Sequence, residues 1–150
     1  MFKHLLVPTD GSTMSIETVD RAIVFARETG AKVSFFYVKP EFPIALYGEG
    51  ALVDPTTPQQ FEELADQQAK SILSACMDKA KTAGIACDSL SQTSGSVHGA
   101  IVAAANQAGA DLIFMASHGR RGFSSLLLGS ETHKVLTHST IPVLVFRQPR

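Results

Sequence analysis

The sequence predicts an α/β domain built on an open, parallel five-stranded sheet with helices on both faces. Short apolar runs alternate with longer stretches of helical periodicity along the whole chain, the pattern expected when strands are joined by right-handed helical crossovers. Glycines fall where the helical stretches stop. The chain has 150 residues, 45% of them hydrophobic, which suits one domain with a core on each side of a sheet. Residues 1–150 are read as that single domain.

His4-Leu5-Leu6-Val7 is a first buried strand, ended by Pro8 and the turn pair Asp10-Gly11. Val19, Ala22, Ile23 and Ala26 repeat at helical spacing between Thr13 and Thr29, and Gly30 stops that helix. Val33-Ser34-Phe35-Phe36-Tyr37-Val38 is rich in β-branched and aromatic residues, a second strand. Residues 39–58 hold four prolines and two glycines, a composition that predicts a surface excursion or lid. Phe61, Leu64, Gln68, Ile72, Cys76 and Ala80 trace one face of a long helix ending near Gly84. A weaker strand follows from Ile85 to Thr93. Val97, Ile101, Ala104 and Ala108 mark a third helix, stopped by Gly109. Asp111-Leu112-Ile113-Phe114-Met115 is the clearest buried strand. After a glycine-bearing loop, a short helix starts at Ser130, and Pro142-Val143-Leu144-Val145-Phe146 closes the sheet.

Composition narrows the function. A formal net charge of −1 without charge blocks gives no nucleic-acid footprint. No apolar run is long enough to span a bilayer, and the start turns polar too early for a signal peptide. Cys76 and Cys87 fit neither a zinc knuckle nor a redox pair, so a cytoplasmic setting is expected.

In open parallel sheets, ligands bind beyond the carboxyl ends of the strands, where strand order reverses. Three segments fall there: Pro8 to Ser12, the stretch after Val38, and the loop from Ala116 to Ser130. The last one carries chemistry. Phosphates need backbone N–H groups converging into a concavity, which glycines permit and a helix N-terminus supplies. Here a strand leads to Gly119, and Gly129-Ser130 opens the final helix, where Ser130 can cap the helix or bond a phosphate oxygen. A glycine pair before a helix is also an ordinary cap; the whole arrangement is more specific than its parts.

Ser117-His118-Gly119, nine further residues, then Gly129-Ser130 resembles the signature loop G-x-x-G-x9-G-S/T of the universal stress protein family. The resemblance extends to Leu6-Val7-Pro8-Thr9-Asp10-Gly11-Ser12, to Ala110-Asp111-Leu112-Ile113 and to Ile141-Pro142-Val143-Leu144-Val145. It implies a Rossmann-like sheet of the adenine nucleotide alpha hydrolase type, with strand order 3-2-1-4-5. Likeness to the ATP-binding members implies further roles. Pro8, Thr9 and Asp10 would end the first strand, with Asp10 near ribose and triphosphate and able to help hold Mg²⁺. The backbone of Val38 would read the adenine edge, and Met115 and Ala116 would flank base and ribose. Gly119, Gly129 and Ser130 would cradle phosphates beside the amide of Glu131. ATP is the implied ligand, with AMP and ADP as alternatives. Family members dimerise through the last strand, so a homodimer through residues 141–146 is expected; the competing reading is a monomer whose C-terminal tail blunts that edge.

Two residues depart from the signature. Ala116 replaces its first glycine and puts a methyl beside the ribose. Glu131 places an acid in the first helical turn, which suits the helix dipole but repels phosphate unless a metal intervenes or the side chain turns outward. Asp10 also has a plain role as a turn residue. Arg120 and Arg121 can screen phosphate charge, although loop arginines are more often solvated. His118 reads as a loop-shaping hydrogen-bond donor. His133 and His138 are five apart, wrong for a same-face metal pair.

The leading functional expectation is a nucleotide-responsive stress regulator that switches partner contacts. The chain offers binding groups but no Walker loop, nucleophile elbow or paired carboxylates; slow ATP hydrolysis needs only an ordered water near Asp10. The alternatives are an ATP pyrophosphatase or nucleotidyl transferase, disfavoured because residues 8–12 lack a lysine, and a nucleotide-free dimeric interaction module, favoured by Ala116 and Glu131. An NAD site lacks its GxGxxG.

Overall fold

A computed structural model describes residues 1–43, 57–119 and 127–149. The elements follow in strict alternation: β1 (His4–Pro8), α1 (Thr13–Thr29), β2 (Lys32–Lys39), α2 (Pro58–Thr82), β3 (Cys87–Thr93), α3 (Val97–Ala108), β4 (Leu112–Ala116), α4 (Ser130–His138) and β5 (Val143–Phe146). All four strand pairings are parallel, in the order β3-β2-β1-β4-β5. That is the expected doubly wound arrangement in one sheet. Of the predicted excursion at 39–58, residues 44–56 lie outside the described residues.

Strand alternation sorts the core into two. Leu5 and Val7 of β1, Val33, Phe35 and Tyr37 of β2, and Leu112 and Phe114 of β4 pack with Val19, Ala22, Ile23 and Ala26 of α1 and with α2. Leu6, Phe36, Ile113 and Met115 point the other way and pack with Ala100, Ile101, Ala104 and Ala105 of α3 and Val135 of α4. Successive residues of a strand face opposite sides, so continuous apolar runs such as Leu5-Leu6-Val7 need a helix layer on each face. His4 is the polar member of the second face, its ring nitrogen Nε2 bonded to Ser34 Oγ at 2.7 Å.

Helix ends follow their local chemistry. Ser12 caps α1 by accepting from the Ser15 amide, and Gly30 ends it in the left-handed region at φ 69°. Thr57 and Gln60 form a reciprocal capping box at α2. The buried stripe of α2 differs from the predicted one. Ala65, Ala69, Leu73, Cys76 and Ala80 face the sheet, whereas Leu64 is 59% exposed. Cys76 and Ala80 face the sheet as predicted; earlier in the helix small Ala65 and Ala69 let it lie close to the strands, and the predicted Leu64 and Gln68 fall on the neighbouring, exposed face. On α3 the buried set is Ala100, Ile101, Ala104 and Ala105, with Val97 left exposed, for the same reason. Strand β4 begins at Leu112, one residue later than predicted. Asp111 accepts from the amides of Lys3 and His4 instead, fastening the two central strands at their amino ends.

Candidate site at the carboxyl ends of β1 and β4

Strand β1 lies between β2 and β4: the chain winds outward from β1 through β2 to β3, then returns through α3 to β4 on the other side of β1, and this reversal of strand order opens a crevice at the carboxyl end of β1. Pro8 ends β1 opposite Phe36, and the Thr9 amide donates to the Phe36 carbonyl at 2.9 Å. Thr9 is buried, its hydroxyl against that of Ser15, whose Oγ also accepts from the Asp10 amide at 3.1 Å. The turn that follows needs Gly11, which has φ 77°. Asp10 Oδ1 accepts from the Ser12 amide at 2.9 Å, the turn role open to an Asp-Gly pair. Its other oxygen lies toward Gly119: a Cβ there would collide with Asp10 Oδ2. Residues 109 positions apart in sequence are thus brought into contact range across the crevice.

Val38 reaches the same place from β2. The even-numbered residues of β2 turn their backbone groups toward β1: Lys32 donates to the Lys3 carbonyl, and Phe36 accepts from Thr9. Odd-numbered Val33 and Lys39 bond instead toward β3, to Ala86 and Ser94. Parallel strands alternate in this way, so Val38 directs its amide and carbonyl into the space beyond the end of β1.

From β4, Ala116 is half-buried at the strand end opposite Phe146. The side chain of Met115, expected to flank the base, belongs to the second core, which leaves only its main chain facing the crevice. Buried Ser117 accepts from the Gly129 amide at 2.8 Å, so the two ends of the signature loop meet. A Cβ on Gly129 would stand 3.0 Å from His118 Cα and 3.2 Å from the Ser117 carbonyl oxygen. Gly129 therefore serves by permitting close approach, with its own amide already committed. It also occupies the cap position of α4, so Ser130 is the first helical residue rather than the cap. The first intrahelical bond runs from His133 to the Gly129 carbonyl; helix geometry leaves the amides of Ser130, Glu131 and Thr132 without intrahelical acceptors. Thr132 is buried, and its hydroxyl donates to the Ala116 carbonyl at 2.9 Å, pinning this turn to β4. His118 shares a hydrogen bond with Ser117 Oγ at 3.0 Å through Nδ1. Arg120 and Arg121 lie outside the described residues.

For Glu131 the outward-turned alternative is the one observed, with a partner that the sequence did not reveal. Its carboxylate turns from the loop and accepts from the His98 amide at 2.8 Å. The partner lies 33 residues earlier, beyond any local motif. Thr132 and Ser15 were likewise not singled out, since hydroxyls in first turns are common as caps.

A model of the universal stress protein family matches residues 1–147. The chain belongs to the universal stress protein family. Universal stress protein YxiE of Bacillus subtilis is 32% identical over 151 aligned residues, covering 98% of this chain and all of that protein. Among solved structures, protein MJ0577 of Methanocaldococcus jannaschii superposes with a TM-score of 0.77 at 25% identity, over 100% of this chain and 99% of its own. A universal stress protein in complex with cAMP superposes at 0.69, also at 25% identity and over 99% of each chain. Among the described residues, no helix is long and apolar enough to cross a membrane, and both cysteines are free thiols.

Proposed function

We propose that this chain binds an adenine nucleotide, ATP with Mg²⁺, in the crevice beyond β1 and β4, and acts as a nucleotide-responsive stress regulator. The observation that carries the reading is the convergence at Gly119: the Asp10 carboxylate lies where a Cβ would be, and the first-turn amides of α4 begin beside Ser117. Pro8, Thr9, Asp10, Ala116, Gly119, Ser130 and Glu131 then surround phosphates and ribose, and Val38 offers a donor and an acceptor to the base edge. The relative in complex with cAMP supports an adenine ligand.

Mg²⁺ fits this donor set in a restricted sense. Among the described residues no three His, Cys, Asp or Glu side chains gather to hold an ion. Magnesium, however, is commonly held by one carboxylate together with phosphate oxygens and water, and Asp10 supplies one carboxylate. The ion would neutralise phosphate charge next to that acid. Arg120 and Arg121 would add screening.

Calorimetric titration with MgATP, paired with a melting scan, tests the reading. Exothermic binding at micromolar to millimolar concentrations and a raised Tm are expected, since a ligand that binds only the folded state stabilises it. Neither heat nor thermal shift at about a thousandfold excess of ligand would leave the second reading, a nucleotide-free interaction module. That alternative draws on Ala116 and on the committed Gly129 amide. In both readings we place a homodimer contact at residues 141–146, where β5 is an edge of the sheet, and the protein in the cytoplasm.

A further inference from the structure

The first turn of α4 is tied to a second helix. Glu131 Oε2 accepts from the His98 amide at 2.8 Å and lies 3.1 Å from His98 Nδ1, while Oε1 takes Lys134 Nζ at 3.3 Å. Helix α3 needs this acceptor, because its own cap residue Ser96 makes no side-chain capping bond. An acid from α4 thus does the work of a local N-cap. The two helices also meet at the other end of α4, where the rings of His98 and His138 stand 5.2 Å apart, and between these contacts Val135 is buried among Ala100, Ile101 and Ala104.

We propose that Glu131 is a positioning residue for the anion cup: its tie to α3 sets the pitch of the turn carrying the 130–132 amides and holds its own charge away from phosphate. The proposal rests on the nucleotide reading above for its effect on affinity, but not for the tie itself. Burial alone would raise the Glu131 carboxyl; the His98 amide, Lys134 and the His98 imidazole outweigh it and hold the group below the usual glutamate range. The acid stays ionised and keeps its donors. A carboxylate so engaged is a guide for the helix, and one swung into the cup would be an obstacle. Removing it has opposite consequences in the two cases.

Glu131→Ala and Glu131→Gln, compared with the unaltered protein at pH 7.5, separate them. Amide hydrogen exchange without ligand reads the tie. Exchange at His98 and His133 is expected to speed up in Glu131→Ala and to stay near its original rate in Glu131→Gln, whose amide oxygen still accepts from His98. MgATP titration reads the consequence. Glu131→Ala is expected to weaken binding about tenfold, the scale of losing a charge-assisted hydrogen bond, with most of the affinity restored in Glu131→Gln. Equal or tighter binding in both variants would show a mere repelling charge and overturn the proposal. Unchanged exchange at His98 in Glu131→Ala would overturn it as well. If the unaltered protein takes no MgATP, the nucleotide reading fails by itself, and the exchange comparison still decides whether Glu131 orders the turn.

Discussion

Gly119 and Asp10 face each other so closely that the smallest added side chain matters. In Gly119→Ala the new methyl meets the Asp10 carboxylate, which must rotate away and lose its place beside the loop. Nucleotide affinity is expected to fall about tenfold, some 1.4 kcal/mol, with Tm nearly unchanged; calorimetry on the variant checks this, and full affinity would remove Asp10 from the site. A second residue governs stability against pH. Burial, then the nearby Lys32, pushes the His4 imidazole below its ordinary value of 6.5. The unfolded chain therefore binds a proton more readily than the folded one. The His4 contribution to stability is present above about pH 6.5 and is lost as pH falls below it. Urea midpoints are expected to drop between pH 7.5 and 5.5, and in His4→Gln, whose amide reaches the position of the imidazole Nε2 bonded to Ser34, that slope should flatten. A slope that persists undiminished would assign it to another group.

Helix α4 depends on anchors more than on its nine residues, too few for independent stability. Thr132→Val replaces a hydroxyl of similar shape and leaves the Ala116 carbonyl without its donor. A loss of about 1–3 kcal/mol in unfolding free energy is expected, measured by denaturant titration, and nucleotide affinity should weaken with it. Much of the element order was legible in the sequence, because Gly30 and Gly109 stop helices by their backbone freedom and apolar runs identify doubly covered strands. The loop ends were legible too, through the spacing of Gly119 from Gly129-Ser130. What escaped were contacts set by packing: the alanine face of α2, the core direction of Met115, and the bond from Glu131 to His98. Each depends on which helix lies opposite, and a local pattern does not carry that information.

Taken as a whole, the sheet has two edges of different character. Strand β3 at one edge is polar and largely exposed. Strand β5 at the other is short, apolar and half-buried, and an apolar edge is a template for strand pairing, which is why we propose the contact with a second copy there. Pro142 and Phe146 turn their carbonyls toward β4, accepting from Ile113 and Ser117, so alternation directs the Val145 amide outward. Val145→Pro removes that outward donor while sparing the bonds to β4. Light scattering is expected to give twice the 16.0 kDa chain mass for the original protein and the single mass for the variant, with far-UV dichroism preserved. A variant that stays dimeric would move the contact elsewhere.

The bond between the Gly129 amide and the Ser117 carbonyl, at 2.8 Å, has an architectural consequence. The chain that departs after Ser117 returns to its own starting point, so it behaves as an insert plugged into a fixed socket. A change in its length costs only about 0.6 kcal/mol per doubling, whereas Gly119, set against the Asp10 carboxylate, has no room for a side chain.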